Sequence, residues 1–166
     1  AAGAMGGADF QFMDADSAFG MFDTMGFDTA LNLGGDQLAG MFGAMDDRQL
    51  VGFGGDQLFD AAMQMEGDHF QHMDADSAFG MFDTMGFDQA MDLQGDQLAG
   101  MFGAMEQDQI MGFDPGQLFD AALGMEAEHF GFMDGDSAFG MFDTMGFDQA
   151  MDLQGDQLAG MFGAMD

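Results

Sequence analysis

The chain has 166 residues; 31 are Asp or Glu and one, Arg48, is Lys or Arg, so its formal net charge at pH 7 is −30. Hydrophobic residues make up 48% of it, which argues against the usual disordered composition of high charge with low hydrophobicity and predicts a core. The charge argues against nucleic acid and anionic membranes as partners, because both need Lys and Arg to displace counterions. The absence of Cys excludes disulfides, and no apolar run approaches the roughly 18 residues of a membrane span.

A methionine recurs at one phase of a 20-residue repeat, at Met25, Met45, Met65, Met85, Met105, Met125, Met145 and Met165. A longer, 60-residue period of three units relates the segments 13–46, 73–106 and 133–166, which are near-copies of one another. Such repeats predict an array whose stability sums over units and over contacts between neighbours. We divide the chain into an N-terminal partial unit, residues 1–14, and a repeat array, residues 15–166, with units beginning at residues 15, 35, 55, 75, 95, 115, 135 and 155.

Each unit begins with a polar signal for a helix. The second residue is Asp in seven of the eight units, the third is Ser or Gln, and an apolar pattern follows. In the unit that begins at residue 35, the apolar residues Leu38, Met41, Phe42 and Met45 have the spacing of one helical face. Asp36 stands just before this face, where it would be a favourable N-cap. The pattern predicts a helix of about ten residues.

A second start signal recurs twelve positions after the first, at Asp28, Arg48, Asp68, Asp88, Asp108, Glu128 and Asp148. Apolar residues follow it at one-turn spacing, for example Leu50 and Phe53, which predicts a second helix of one or two turns. Helices this short are not stable alone, so stacking must stabilise them. We therefore predict an all-α fold, a repeat solenoid of short helix pairs.

A β-solenoid and a mixed helix and strand solenoid are the alternative architectures. Against both, Val51, Ile110 and four threonines are the only β-branched residues of the chain. Strands favour that class of residue, whereas Met, Leu, Gln and Ala favour helices.

The 60-residue period has two explanations. In the first, each turn of a three-sided solenoid consists of three units and stacks like units on like units, so that Phe19, Phe79 and Phe139 form a column. In the second, every third unit meets a neighbouring chain. The small residues Gly40, Gly43 and Ala44 also predict that another backbone approaches this side of the helix, which indicates lateral assembly, because Gly otherwise only weakens a helix.

Paired carboxylates suggest a cation site. The sequence Met-Asp-Ala-Asp-Ser, or Met-Asp-Gly-Asp-Ser, places two aspartates either side of one residue, at Asp14 and Asp16, Asp74 and Asp76, and Asp134 and Asp136. Loop carboxylates are ligands that Ca²⁺ prefers, although the full EF-hand pattern is missing. The alternative is that one Asp of each pair caps a helix and the other is a solvated charge.

Other residue types give weaker signals. His69 and His72 lie one turn apart, but Phe132 replaces the second His in the next copy, which favours surface or packing roles. The methionines share core phases with Phe, which favours packing over binding of soft metals. The serines stand at helix starts with no His in a catalytic motif, so we expect no enzyme activity.

The sequence thus predicts a structural, self-assembling, methionine-rich repeat protein of an extracellular filament, matrix or surface layer, with copies of itself as partners. An extracellular or cell-surface setting fits the charge, because divalent cations or salt would screen the repulsion between carboxylates. Two other functions remain open: an acidic array that binds Ca²⁺, and a module whose Met/Phe groove binds a partner.

Overall fold

The computed structural model describes residues 6–10 and 12–165, with the side chain of residue 47 left aside. This part of the chain is all-helical and contains no strand, which confirms the predicted all-α class. The long helices have 8 to 11 residues and are α2 (Ala15–Met25), α4 (Gly35–Gly43), α6 (Gly55–Ala62), α7 (Ala75–Met85), α9 (Gly95–Ala104), α11 (Pro115–Leu123), α12 (Gly135–Met145) and α14 (Gly155–Ala164).

One short element precedes α2 and others follow most of the long helices. They are α1 (Gly7–Phe10), α3 (Phe27–Ala30), α5 (Asp47–Leu50), α8 (Phe87–Ala90), α10 (Gln107–Ile110), α13 (Phe147–Ala150) and the 3₁₀ helices Gly67–His72 and His129–Phe132. The predicted alternation of a longer and a shorter helix is therefore confirmed. None of the described helices has the length and apolar character needed to cross a membrane.

The start of α4 differs from the prediction. Gly34 is the N-cap, with extended backbone, and Asp36 lies inside the first turn. The Gln37 side chain accepts a hydrogen bond from the Gly34 N–H at 3.1 Å, so the cap is made from within the helix. Asp36 is still well placed, because a carboxylate in the first turn interacts favourably with the helix dipole. It accepts a hydrogen bond from the Gly7 N–H at 3.1 Å.

Long helices pack against short helices that are distant in the sequence. α4 contacts α1 and the 3₁₀ helix Gly67–His72, while α9 contacts both 3₁₀ helices. In the same way α7 contacts α5, α12 contacts α10, and α6 contacts α8. The hydrogen bonds that bridge such elements join residues 29 to 35 positions apart. The two 3₁₀ helices, which are equivalent in the 60-residue period, also touch each other.

Glycines allow these backbones to approach closely. A Cβ at Gly100 would overlap the carbonyl oxygen of Gly67, and a Cβ at Gly40 would overlap that of Gly7. A Cβ at Gly43 would lie 2.6 Å from the His72 carbonyl oxygen. The predicted close approach is confirmed, but its partners belong to the same chain. These glycines therefore serve packing within the chain and do not indicate lateral assembly, contrary to the prediction.

The repeated methionines lie in the core, as the repeat predicts. Six of the eight are buried and Met25 and Met165 are half-buried. The prediction that Phe19, Phe79 and Phe139 stack in a column is wrong. Phe19 packs on Phe53 and Phe79 packs on Phe113, each with ring centroids 6.0 Å apart. Phe53 and Phe113 each belong to the unit that follows, about half of the 60-residue period later in the sequence.

Buried polar side chains join the ends of distant helices. Ser77 donates its hydroxyl to the Met45 carbonyl at 3.0 Å, and Ser137 donates to Met105 at 3.0 Å. Both carbonyls end a long helix, where the last turn leaves backbone oxygens without a partner inside the helix. In these two units the third residue thus caps the end of the helix two units earlier, whereas the third residues Gln57 and Gln117 make only a local bond at the start of their own helices.

Candidate cation sites and the exposed apolar face

The first Asp of each predicted pair is a helix N-cap. Asp14 accepts hydrogen bonds from the Ser17 N–H at 2.9 Å and from the Ser17 hydroxyl at 3.0 Å. Asp74 and Asp134 accept from the equivalent backbone N–H groups, those of Ser77 and Ser137, at 2.8 Å. The Ser17 backbone N–H, followed by its hydroxyl, lowers the pKa of Asp14 below its ordinary value.

The second Asp of each pair lies in the first turn of its helix. The Gln49 side-chain amide donates to Asp16 at 3.2 Å, and that of Gln109 donates to Asp76 at 3.0 Å. The bond at Asp76 ties α7 to α10, across 33 positions of the sequence. Asp136 holds the same position in α12. The two carboxylates of a pair therefore have separate partners within the fold.

Two of the pairs also line acidic cavities together with carboxylates from an earlier unit. Asp134 and Asp136 share a cavity of about 440 Å³ with Glu106 and Asp108. Asp74, Asp76 and Asp46 share one of about 290 Å³. Glu106 and Asp46 each stand just after the end of a long helix from an earlier unit. Ca²⁺ binding at these six aspartates stays a prediction.

The tightest clusters of possible metal ligands in the described part of the chain lie elsewhere. Ligand atoms of Glu66, Asp68 and His69 lie within 4.8 Å of one another, and Glu126, Glu128 and His129 repeat this arrangement. His69 accepts a hydrogen bond from the Glu66 N–H through Nδ1 at 2.9 Å, and its Nε2 lies 3.8 Å from Asp68. One ring nitrogen therefore caps the 3₁₀ helix, which is a structural role.

His72 has a packing role as well. A Cβ at Gly7 would lie 3.0 Å from the imidazole of His72, and a Cβ at Gly67 would lie 3.1 Å from the ring of Phe132. Imidazole and phenyl rings thus occupy the same place in two copies of the repeat. The replacement of His by Phe therefore keeps the contact, as expected of a packing residue.

Sequence reasoning missed the cross-helix role of the third residue of the unit. Gln97 and Gln157 are buried and bond backbone carbonyls 32 positions earlier, as the serines do. The signal was present, because this position is Ser or Gln in every unit. A strictly polar position next to an apolar face indicates a specific hydrogen-bond partner.

Helices α12 to α14 and the turn after α13 carry four exposed apolar side chains, which we call the exposed apolar face: Phe139, Phe147, Met151 and Phe162. Phe162 is 44% exposed and Phe147 is 64% exposed, whereas Phe102, the equivalent of Phe162 in the preceding copy, is 0% exposed. A Cβ at Gly155 or Gly163 would meet nothing within 4 Å. At the equivalent positions of α9, a Cβ would overlap His129 and the carbonyl oxygen of Phe132.

No protein family, curated protein or solved structure matches the chain. The candidate sites and the exposed apolar face are therefore interpreted from their own geometry.

Proposed function

We propose that the chain is a structural repeat protein whose helices coil into a three-sided solenoid and whose copies associate through the exposed apolar face of α12 to α14. The observation that carries the proposal is the exposure of a face whose equivalent residues in the preceding copy are buried, as Phe102 is, or half-buried. In the preceding copy, Phe113 covers Phe102 at a ring distance of 5.5 Å. A segment that resembles residues 107–133 would cover the exposed face in the same way.

The contacts between helices support the three-sided solenoid. Long and short elements alternate along the described part of the chain, and six of the eight long helices, namely α4, α6, α7, α9, α12 and α14, contact a short element three elements away. Three elements therefore complete one turn, and each of these long helices lies over a short one. Because a turn of three elements contains an odd number of them, a long helix on one side is followed on that side by a short helix in the next turn. A long helix returns to that side only after two turns, or six elements, and six elements span the 60-residue period.

In a second copy of the chain, α1 is a segment that could cover α14. α1 packs on α4 as the 3₁₀ helix Gly67–His72 packs on α9, with the same overlap of a glycine by a backbone carbonyl. The 3₁₀ helix Gly67–His72 in addition contacts α4 on its other side. The corresponding side of α1 in another copy fits α14, where Gly155 and Gly163 leave room for a backbone.

The net charge of −30 constrains the conditions of assembly. Copies repel one another at low ionic strength, because charges interact over about 30 Å at 0.01 M salt but only about 8 Å at 0.15 M. Assembly through an apolar face therefore needs salt or divalent cations. This requirement suits an extracellular filament, matrix or surface layer.

Sedimentation velocity and negative-stain microscopy at increasing protein and NaCl concentration test the proposal. We expect particles larger than the monomer that grow with both concentrations. Phe147→Glu should abolish them, because it places a charge in the proposed interface. Val51→Glu is the matched control, since Val51 is also 64% exposed but lies in an earlier unit, outside the exposed apolar face.

Gly163→Leu provides a second variant that leaves the monomer intact, because the position is open in the single chain. It should prevent association by filling the space that a backbone would occupy. A wild-type chain that stays monomeric at every concentration would contradict the assembly. Equal effects of Phe147→Glu and Val51→Glu would contradict the choice of face.

A second candidate function, a Ca²⁺-binding acidic array, is supported by the cavities that Asp74, Asp76, Asp134 and Asp136 line with carboxylates from earlier units. Isothermal titration with CaCl₂ at constant ionic strength tests it. Saturable uptake that Asp76→Asn and Asp136→Asn remove would support specific sites. Weak uptake that NaCl displaces and that neither substitution changes would indicate only screening.

A further inference from the structure

A pocket of about 280 Å³ opens among α7, α8 and the segment that joins α10 to α11. It lies outside the exposed apolar face and outside the acidic cavities. Its lining residues are four phenylalanines, one carboxylate and three small or amide residues, namely Phe79, Phe82, Phe87, Phe113, Asp83, Gly86, Gly112 and Gln117. A pocket with this many aromatic rings and a carboxylate has a defined chemical preference.

The phenyl rings of Phe79, Phe82 and Phe113 pack edge to face. Phe82 and Phe113 are 5.2 Å apart at 80°, and Phe79 and Phe113 are 6.0 Å apart at 67°. All three of these rings line the pocket. Phe79, Phe87 and Phe113 are half-buried, which leaves part of each ring accessible from the pocket.

Glycines shape the entrance. Gly86 ends α7 with φ of 79°, a conformation that other residues rarely adopt, and α8 begins directly after it. This turn places the ring centroid of Phe87 6.2 Å from that of Phe82. Gly112 lines the opposite part of the pocket without a side chain. The sequence thus builds an open pocket where a larger residue would narrow it.

The charge of the pocket selects its ligand. The face of an aromatic ring carries partial negative charge and attracts cations, above all quaternary ammonium ions held among several rings. The Asp83 carboxylate is exposed at the pocket and adds a full negative charge. We propose that this pocket binds a small quaternary ammonium compound of the choline type, with its methyl groups against the phenyl rings and its charge beside Asp83.

The equivalent phenylalanines one long period earlier make one ring contact more. Phe19 and Phe53 repeat the distance and angle of Phe79 and Phe113, and Phe22 and Phe53 lie 5.0 Å apart. In this copy Phe27 also contacts Phe53, with ring centroids 6.4 Å apart. The additional contact brings the Phe27 and Phe53 rings together, whereas Phe87 and Phe113 make no ring contact in the pocket. Asp23 and Phe27 are therefore matched control positions for Asp83 and Phe87.

The test is a titration of the full chain with choline, followed by amide NMR shifts and by calorimetry. A parallel titration uses 3,3-dimethylbutan-1-ol, which has the shape of choline without its charge. We expect one saturable site, with shifts confined to residues around Gly86, Phe87 and Gly112. Choline should bind more tightly than the neutral alcohol by about fivefold or more, as one charge contact at about 4 Å in water implies.

Two variants locate the site. Asp83→Asn should weaken choline binding about fivefold and leave the neutral alcohol unchanged, whereas Asp23→Asn should change neither. Phe87→Leu should weaken choline binding, and Phe27→Leu should not. Circular dichroism of each variant checks that the helices persist. Equal affinity for choline and the alcohol, equal effects of Asp83→Asn and Asp23→Asn, or shifts spread over all carboxylates would each overturn the proposal.

Discussion

Gln97 donates its side-chain amide to the backbone carbonyl of Met65, 32 positions earlier, at 2.7 Å. The same amide donates to the Ala62 carbonyl at 3.2 Å, and its oxygen accepts from the Gln94 N–H at 3.0 Å. A single buried residue therefore caps the start of its own helix and the end of a helix from an earlier unit. Ordered stacking of the helices depends on such bonds, since apolar contact alone is not directional.

Replacement of Gln97 should destabilise the fold substantially. Gln97→Ala leaves the buried Met65 carbonyl without its donor, at a cost of about 1 to 3 kcal/mol or less where water enters, while the Ala62 carbonyl keeps the Met65 N–H at 2.9 Å. Gln57→Ala is the matched control, because Gln57 makes the same local bond, from the Gly54 N–H, at an exposed position. Urea unfolding followed by circular dichroism should show a lower midpoint for Gln97→Ala. Equal midpoints would contradict the cross-helix role.

Two glycine substitutions should have opposite effects. Gly100→Ala should destabilise by about 1 to 3 kcal/mol, because its Cβ would overlap the Gly67 carbonyl and push α9 away from the 3₁₀ helix. Gly20→Ala should stabilise by about 0.5 to 1 kcal/mol, because Gly20 lies inside α2 with nothing within 4 Å of a Cβ. Thermal unfolding measures both. A stabilising Gly100→Ala would contradict the close backbone contact.

The Asp14 cap should give a pH-dependent contribution to stability. Its pKa is lowered in the folded chain from the ordinary value of 3.8, chiefly by the Ser17 N–H. Its contribution is therefore fully present above pH 3.8 and is lost as the pH falls through the lower, folded value. Asp14→Ala should unfold at a lower temperature than the wild type at neutral pH. The difference should shrink below pH 3.8, and a constant difference would contradict it.

Salt should stabilise the monomer as well as any assembly. Raising NaCl from about 0.01 to about 1 M shortens the range of charge repulsion from about 30 to about 3 Å. With a net charge of −30, the unfolding temperature should rise by several degrees over this range. A dilute sample keeps the chain monomeric, and an uncharged solute at equal concentration is the control. An unfolding temperature independent of salt would show that the carboxylates already lie too far apart to repel.

The helices could be predicted from the sequence because each carries its own local signal. The spacing of Leu38, Met41 and Phe42 defines a helical face whatever lies against it. The neighbour of that face could not be predicted, because a 60-residue period fits one large turn or two small ones equally well. The exposed or buried state of equivalent residues, such as Phe102 and Phe162, depends on that arrangement.

The roles of the carboxylates were predictable only in part. That one Asp of each pair caps a helix follows from sequence. The unit pattern favours Asp16 for this role, whereas the N-cap is Asp14. The bond from Gln109 to Asp76 joins residues 33 positions apart and depends on the stacking. The pocket at Phe79 and Asp83 likewise needs Phe113 from a later unit, so no local pattern indicates it.

The alternation of Ser and Gln caps limits how such a gene can change in length. Removal of the module that begins at residue 115, for example, would set the Gln157 side chain over the Met105 carbonyl, which now accepts from the smaller Ser137 hydroxyl, and would set Ser137 over the end of α7. Removal of three modules leaves each remaining Ser or Gln opposite the same kind of helix end as before. Natural variants that differ in copy number should therefore differ by whole blocks of three modules, and recombination within a block should be selected against.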